Sequence, residues 1–166
     1  MISTDDYLHL ADRALDGMVD IVVDLGDERA NRRPPLPGAN PPYAILVHCL
    51  GVMDYWAGQL VAGRRVERDR EAEFAAAGPV SELPDLVAAA RLRLRDDLRH
   101  GDPDAPLRDE PPARYADSPI GRRRGAALLH VLEELAQHHG QLEITRDLLL
   151  GAEAGHLSPP EGVDPR

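Results

Sequence analysis

HVLEELAQHHGQLEITRDLLL, residues 130–150, spaces its large apolar side chains with the period of an α-helix. At about 100° per residue, Val131, Leu135, Leu142 and Leu149 fall on one stripe, which predicts a helix with one wall in a core. His138 lies about 20° from the centre of that stripe and Glu134 about 60° to one side. A histidine and a carboxylate therefore stand in the core wall. Because they are four residues apart, their side chains leave the same side of the helix one turn apart, as two ligands of one metal ion require. A helical salt bridge or a hydrogen-bonded core histidine uses the same spacing, so the pair alone leaves these readings open.

The neighbours of this pair divide into candidates and bystanders. His130, one turn before Glu134, is a candidate third ligand or a partner that holds a ligand in place. Gln141 flanks the edge that carries Glu134 and is placed either to orient a ligand or to face solvent. His139 points about 100° from His138 and is not expected to share its metal. HVLEE is not the HExxH of zinc proteases, because its glutamates fall at the wrong positions.

Upstream, YAILVHCLGVMDYWAGQLVA (residues 43–62) is apolar on almost every side, as suits a helix buried between neighbours, and Gly63 closes it. His48 interrupts this helix, where an unpartnered polar group would be costly to bury. A histidine facing a Glu/His pair from another helix makes a three-ligand site of the kind that bundles build in their cores; a hydrogen bond to a buried histidine is the plainer alternative. Cys49 points about 100° from His48 and reads as core rather than as a nucleophile. Tyr55 is a candidate for a pocket wall, whereas Trp56 reads as core packing.

Two more helices complete the pattern. The first runs from Ser3 to about Asp27, with Leu8, Ala11, Leu15, Met18, Val22 and Leu25 at helical spacing behind the start signal Ser3, Thr4, Asp5, Asp6. The third begins at a cap-like Ser81 and ends near His100, with Leu83, Leu86, Val87, Ala90, Leu94 and Leu98 inside and Arg91, Arg95 and Arg99 outside. The last helix extends from about Ile120 to Leu150 and stops at Gly151. Prolines forbid helix over residues 30–42, and 101–119 form a long proline-rich loop of the length often used for function. Residues 64–78 read as a connection with one helical turn at most. The expected architecture is all-α, a four-helix bundle over residues 1–151 with a loosely ordered tail at 152–166, and no pattern of alternating apolar residues competes with it.

Composition narrows the function. With 43% hydrophobic and 29% charged residues the chain is globular in type. Its formal charge of −10 opposes binding to nucleic acid, which depends on lysine and arginine displacing counterions. Aspartates 5, 6, 12 and 16 stand where a signal peptide needs positive charge and an apolar core, no uninterrupted apolar run approaches a membrane span, and a single cysteine suits a reducing compartment. The expectation is a cytoplasmic protein without membrane or nucleic-acid partners. Exposed helix faces leave room for a homodimer. His9, His100 and His156 read as surface residues.

A histidine within LVHCLGVMDYW, followed far downstream by EELAQHHGQLEITRDLL, resembles the DinB-like superfamily over nearly the whole chain. GANPP before the second helix and RDREAEF (residues 68–74) after it resemble its mini-circle and mycothiol-dependent transferase branch, which includes the metal-binding domain of maleylpyruvate isomerase. The resemblance implies an up-down-down-up bundle and one divalent metal, zinc or nickel, held at the positions of His48, Glu134 and His138. Many relatives carry histidine where Glu134 stands, so the His/Glu/His set favours the mycothiol-linked branch; several also carry histidine where Gln141 stands. No separate mycothiol-recognition domain is expected. The activity implied is a metal-dependent S-transferase that uses mycothiol or a similar small thiol, acidified at the metal, against an electrophilic small molecule. Arginines 64, 65, 68 and 70 are candidates to receive an anionic electrophile. A metal-stabilised bundle that binds a ligand without catalysis, and a metal-hydroxide hydrolase, are the alternatives.

Overall fold

In the computed structural model, which describes residues 3–99 and 102–153, the first helix α1 (Thr4–Ala30) starts from a reciprocal cap. The Ser3 hydroxyl accepts from the Asp6 backbone N–H at 3.0 Å, and the Asp6 carboxylate accepts from the Ser3 backbone N–H at 3.2 Å. The helix outruns its expected end because Gly26, at φ 68°, takes a kink that a side chain would strain, and helix resumes behind it. Asn31 then ties the end of α1 to the later chain, its amide donating to Gly78 O at 2.9 Å and accepting from Gly78 N at 3.0 Å.

The second helix, α2 (Pro42–Ala62), has the extent the sequence predicts but two geometries: α-helix over Pro42–Met53 and π-helix over Asp54–Ala62. Gly63 closes it in the left-handed conformation, φ 79°. By length and composition alone its 21 residues could cross a membrane, yet 72% of its apolar 18-residue stretch, with mean hydropathy 1.3, is buried inside the bundle. The π geometry goes with a packed side chain: Arg64 folds back over Gly58, where a Cβ would lie 2.2 Å from the guanidinium, and donates to Asp54 at 2.7 Å and to Asp97 at 3.0 Å.

The connection that follows contains a short helix, α3 (Arg70–Ala75), capped by the Asp69 carboxylate, which accepts from the N–H groups of Glu71 and Ala72. The next, α4 (Leu83–Leu98), starts behind a 3₁₀ turn at Val80–Glu82; Ser81 lies in that turn and does not cap, and Pro84 supplies the helical start instead. Leu83, Val87, Ala90 and Leu94 are buried as predicted, Leu98 is half-buried, and Leu86 is 44% exposed, at the edge of the stripe. The last helix, α5 (Arg124–Glu153), begins later and ends later than the sequence suggests. Ile120 belongs to a separate 3₁₀ turn, Pro119–Gly121. Gly151 lies inside the helix because Glu153, two residues on, accepts from Arg29 at 2.9 Å and from Arg32, which holds the last turn on α1. The expected tail from 154 onward, with His156, lies outside the described residues, as does His100.

Long-range contacts fix the directions. Tyr7 donates to Leu128 O at one end and Arg29 pairs with Glu153 at the other, so α1 and α5 run parallel. Arg91 reaches Asp16 and Arg95 reaches Asp12, so α4 runs against α1. His48 meets Glu134 while Trp56 meets His130, so α2 runs against α5. The bundle is up-down-down-up, all-α among the described residues, and the parallel pair α2 and α4 requires the crossover that carries α3. Leu15, Met18, Leu46, Leu60, Leu94, Leu135 and Leu142 fill its core. The long loop between α4 and α5 lies on the π end of α2: Arg108 N–H donates to Leu60 O at 2.8 Å, and Tyr115 packs on Trp56 and His130.

Candidate metal centre

Opposed α2 and α5 bring His48, Glu134 and His138 together, with one donor atom from each inside a 4.8 Å span. His138 Nε2 lies 3.4 Å and His48 Nε2 3.8 Å from the same oxygen, Glu134 Oε2. The rings stand edge to face with centroids 5.1 Å apart. Zinc bonds of about 2.0–2.2 Å at tetrahedral angles separate their donors by roughly 3.4 Å, so the three atoms surround a volume of the right size for such an ion.

The back of each imidazole is occupied. His48 Nδ1 is 2.8 Å from Glu73 Oε2, and His138 Nδ1 is 2.7 Å from Gln141 Oε1. A carboxylate only accepts, so His48 Nδ1 carries a proton, and in the neutral ring the Nε2 lone pair is left on the side of Glu134; with the Gln141 carbonyl as acceptor, a neutral His138 is left the same way. Gln141 thus bonds the His138 ring while itself remaining exposed. Glu73 is itself gripped by Arg68, with bonds of 2.7 and 3.0 Å, and Phe74 stacks on His48 at 4.3 Å.

A model of the DinB superfamily matches residues 10–142. The chain belongs to the DinB superfamily. In structure it is similar to a crystal structure described as the conserved protein of locus from Enterococcus faecalis, with TM-score 0.67 and 17% identity, covering 91% of this chain and 99% of that one; at this identity the likeness shows the fold alone. No curated protein matches the sequence. The superfamily named from the residues is thereby shown, and with it the bundle architecture; the mycothiol-linked branch is a finer statement than these matches make.

Electrostatics in this DinB bundle suit a cation. The Glu134 carboxyl is held far below the usual range, first by His138 and then by His48, and burial only partly opposes them. Burial is the largest influence on His48 and disfavours its charged form, but Glu134 and Glu73 together outweigh it and raise its pKa. Burial likewise works against ionised Glu73, and His48 with Arg68 overcomes it.

Of the other residues singled out in the sequence, His130 stands outside the group of three converging donors. It is 5% exposed, wedged between Trp56 and Tyr115, and its Nε2 lies 3.5 Å from the second oxygen of Glu134, Oε1. His130 thereby leaves Oε2 to the centre. Tyr55 is linked to the site through Arg68, whose guanidinium lies 5.3 Å from its ring, and its hydroxyl reaches Glu110 O at 3.5 Å. His139 faces α1 and rests on Gly17, where a Cβ would meet its Nε2 at 2.2 Å. Cys49 is fully buried and burial pushes its thiol pKa up, so it is core as expected. Each arginine of the segment has a neighbour: Arg64 pairs with Asp54 and Asp97, Arg68 with Glu73, the exposed Arg65 with Glu67, and Arg70 lies over Phe74.

Sequence reasoning missed Glu73 and Gly51. A Cβ at position 51 would lie 2.0 Å from Glu73 Oε1, so glycine there is what lets the carboxylate reach His48. The segment RDREAEF stands out in the sequence, but it is too short for its periodicity to reveal which way Glu73 points.

Proposed function

We propose that this chain is a metal-dependent thiol S-transferase, with zinc the ion best suited to its donors and nickel the second choice. The observation that carries the reading is the convergence of two Nε2 lone pairs on Glu134 Oε2, each imidazole fixed from behind. Two neutral histidines and one carboxylate suit borderline cations such as zinc rather than magnesium or calcium, which prefer oxygen. His48, Glu134 and His138 would hold the ion, which would supply a position for an outside ligand and, at a net charge of +1, would make a thiol bound there more acidic.

The chain's own groups make the rest of the site. Glu134 offsets part of the cation's charge, and His130 restrains its other oxygen, so the carboxylate presents one atom to the centre. Phe74 covers one face of His48 and keeps water from it. The resemblance to the mycothiol-linked branch makes mycothiol, or another small cytoplasmic thiol, the cosubstrate, and an electrophilic small molecule the acceptor. Working as a cytoplasmic protein, alone or as a homodimer, it needs no nucleic acid or membrane.

A hydrolase needs a further carboxylate free to act as base. Glu73 lies behind His48, and both its oxygens are committed to Arg68 and His48, which favours the transferase. Elemental analysis of untagged protein, followed by calorimetry of the metal-loaded form with candidate thiols beside a His138→Ala control, tests the proposal. Bound zinc and thiol-dependent heat lost in the variant are expected. Metal that raises the melting temperature while no thiol and electrophile pair turns over would leave a metal-stabilised binding bundle instead.

A further inference from the structure

We infer that Glu73 is a positioning residue of the metal centre, a carboxylate that reaches in from the crossover to fix the tautomer and aim of His48. This rests on the metal reading above and adds a third structural element to it. Glu73 is 8% exposed and sits on α3, which contributes no ligand. Its Oε2 takes the Nδ1–H of His48 at 2.8 Å, which leaves the ring one lone pair, at Nε2, on the side of Glu134 and His138. The carboxylate cannot drift, because Arg68 holds both its oxygens and Gly51 leaves the space that Oε1 enters. The neighbouring residue, Phe74, stacks on the same imidazole, so two consecutive side chains of one short helix address His48 in its plane and on its face.

A salt bridge serving stability alone would need none of this aim. Arg68 already neutralises Glu73, and a buried Arg/Glu pair contributes little net stability. Partners of this kind behind a ligating histidine fix ring orientation and raise its donor strength, and their loss lowers metal affinity by about 10–100-fold.

The test compares wild type with Glu73→Ala, Glu73→Gln and Arg68→Met. Zinc affinity is read by chelator competition, the His48 tautomer by ¹⁵N NMR of the ring at a pH where it is neutral, and ligand geometry by the visible spectrum of the Co²⁺ form. Glu73→Ala is expected to lose about 10–100-fold in zinc affinity and to mix the two tautomers. Glu73→Gln, whose amide oxygen can accept the same hydrogen bond, should keep the tautomer and recover most of the affinity. Arg68→Met should fall between them with an altered Co²⁺ spectrum. Zinc binding by Glu73→Ala within about twofold of wild type, with the His48 tautomer unchanged, would overturn the inference. If that variant does not fold, the wild-type ring decides: a His48 proton on Nε2 rather than Nδ1 in the metal-free protein refutes the role. Failure of wild type to bind zinc at all refutes the metal reading, and the metal-free ring spectrum still judges Glu73.

Discussion

The two histidines of the centre are mirror roles built from unlike materials. His48 is 3% exposed, backed by a buried carboxylate that an arginine clamps, and stacked on by an aromatic ring. His138 is half-exposed and backed by the neutral amide of an exposed glutamine one turn along its own helix. The first support crosses between elements and is charged; the second is local and uncharged. A charged partner in a low-dielectric setting strengthens a hydrogen bond more than a neutral one does, so the His48 half should carry more of the aim and donor strength of the site.

Removing a ligand gives the largest effect: His48→Ala and His138→Ala should each weaken zinc binding by more than about 100-fold, beyond the range for an outer partner. If either alanine variant binds zinc like wild type, the comparison has no subject. Next comes Gly51→Ala, whose methyl would displace Glu73; a loss of about 10-fold in zinc affinity, with about 1–3 kcal/mol of overpacking, is expected from titration and melting. Gln141→Ala should cost only a few-fold, below the roughly 10-fold floor expected for Glu73→Ala, and the reverse order would break the asymmetry.

Protons sharpen the contrast. In metal-free protein the raised His48 pKa means that its charged form contributes stability fully present below the ordinary 6.5 and lost as pH rises through the raised value. The melting temperature of the metal-free chain should therefore fall on going from mildly acidic to alkaline buffer, less so in His48→Ala. Zinc reverses the trend, because it competes with the same protons and gains affinity as they leave. The smallest effect lies six residues along α2 from His48. Burial of Asp54 works against its charge, but Arg93 and Arg64 outweigh it and lower its pKa, so its contribution is present above the ordinary 3.8 and disappears as pH falls through the lowered value. Asp54→Asn should flatten acid destabilisation there by less than about 1 kcal/mol.

The bundle was legible because its helices advertise themselves: α1, α4 and α5 by stripes, α2 by being apolar all round. The ligand pair was legible because Glu134 and His138 belong to one helix, whose period fixes their relation, and His48 because a polar residue in an apolar helix asks for a partner. What stayed hidden depends on contacts between distant residues. Glu73 meets His48 across 25 positions through a crossover whose path no local pattern dictates. That α5 continues past Gly151 to Glu153 goes with Arg29 and Arg32, which bind Glu153 from the end of α1, and the π geometry of α2 goes with Arg64, which lies beyond it. Leu86 was misread because a stripe has edges, and only neighbours decide which edge residue is covered.

The parallel pair of α1 and α5 is fastened at both extremities, by the Tyr7 hydroxyl on Leu128 and by Arg29 and Arg32 on Glu153. Glu134 and His138 lie between these fastenings, so their register cannot slip along the neighbouring rod.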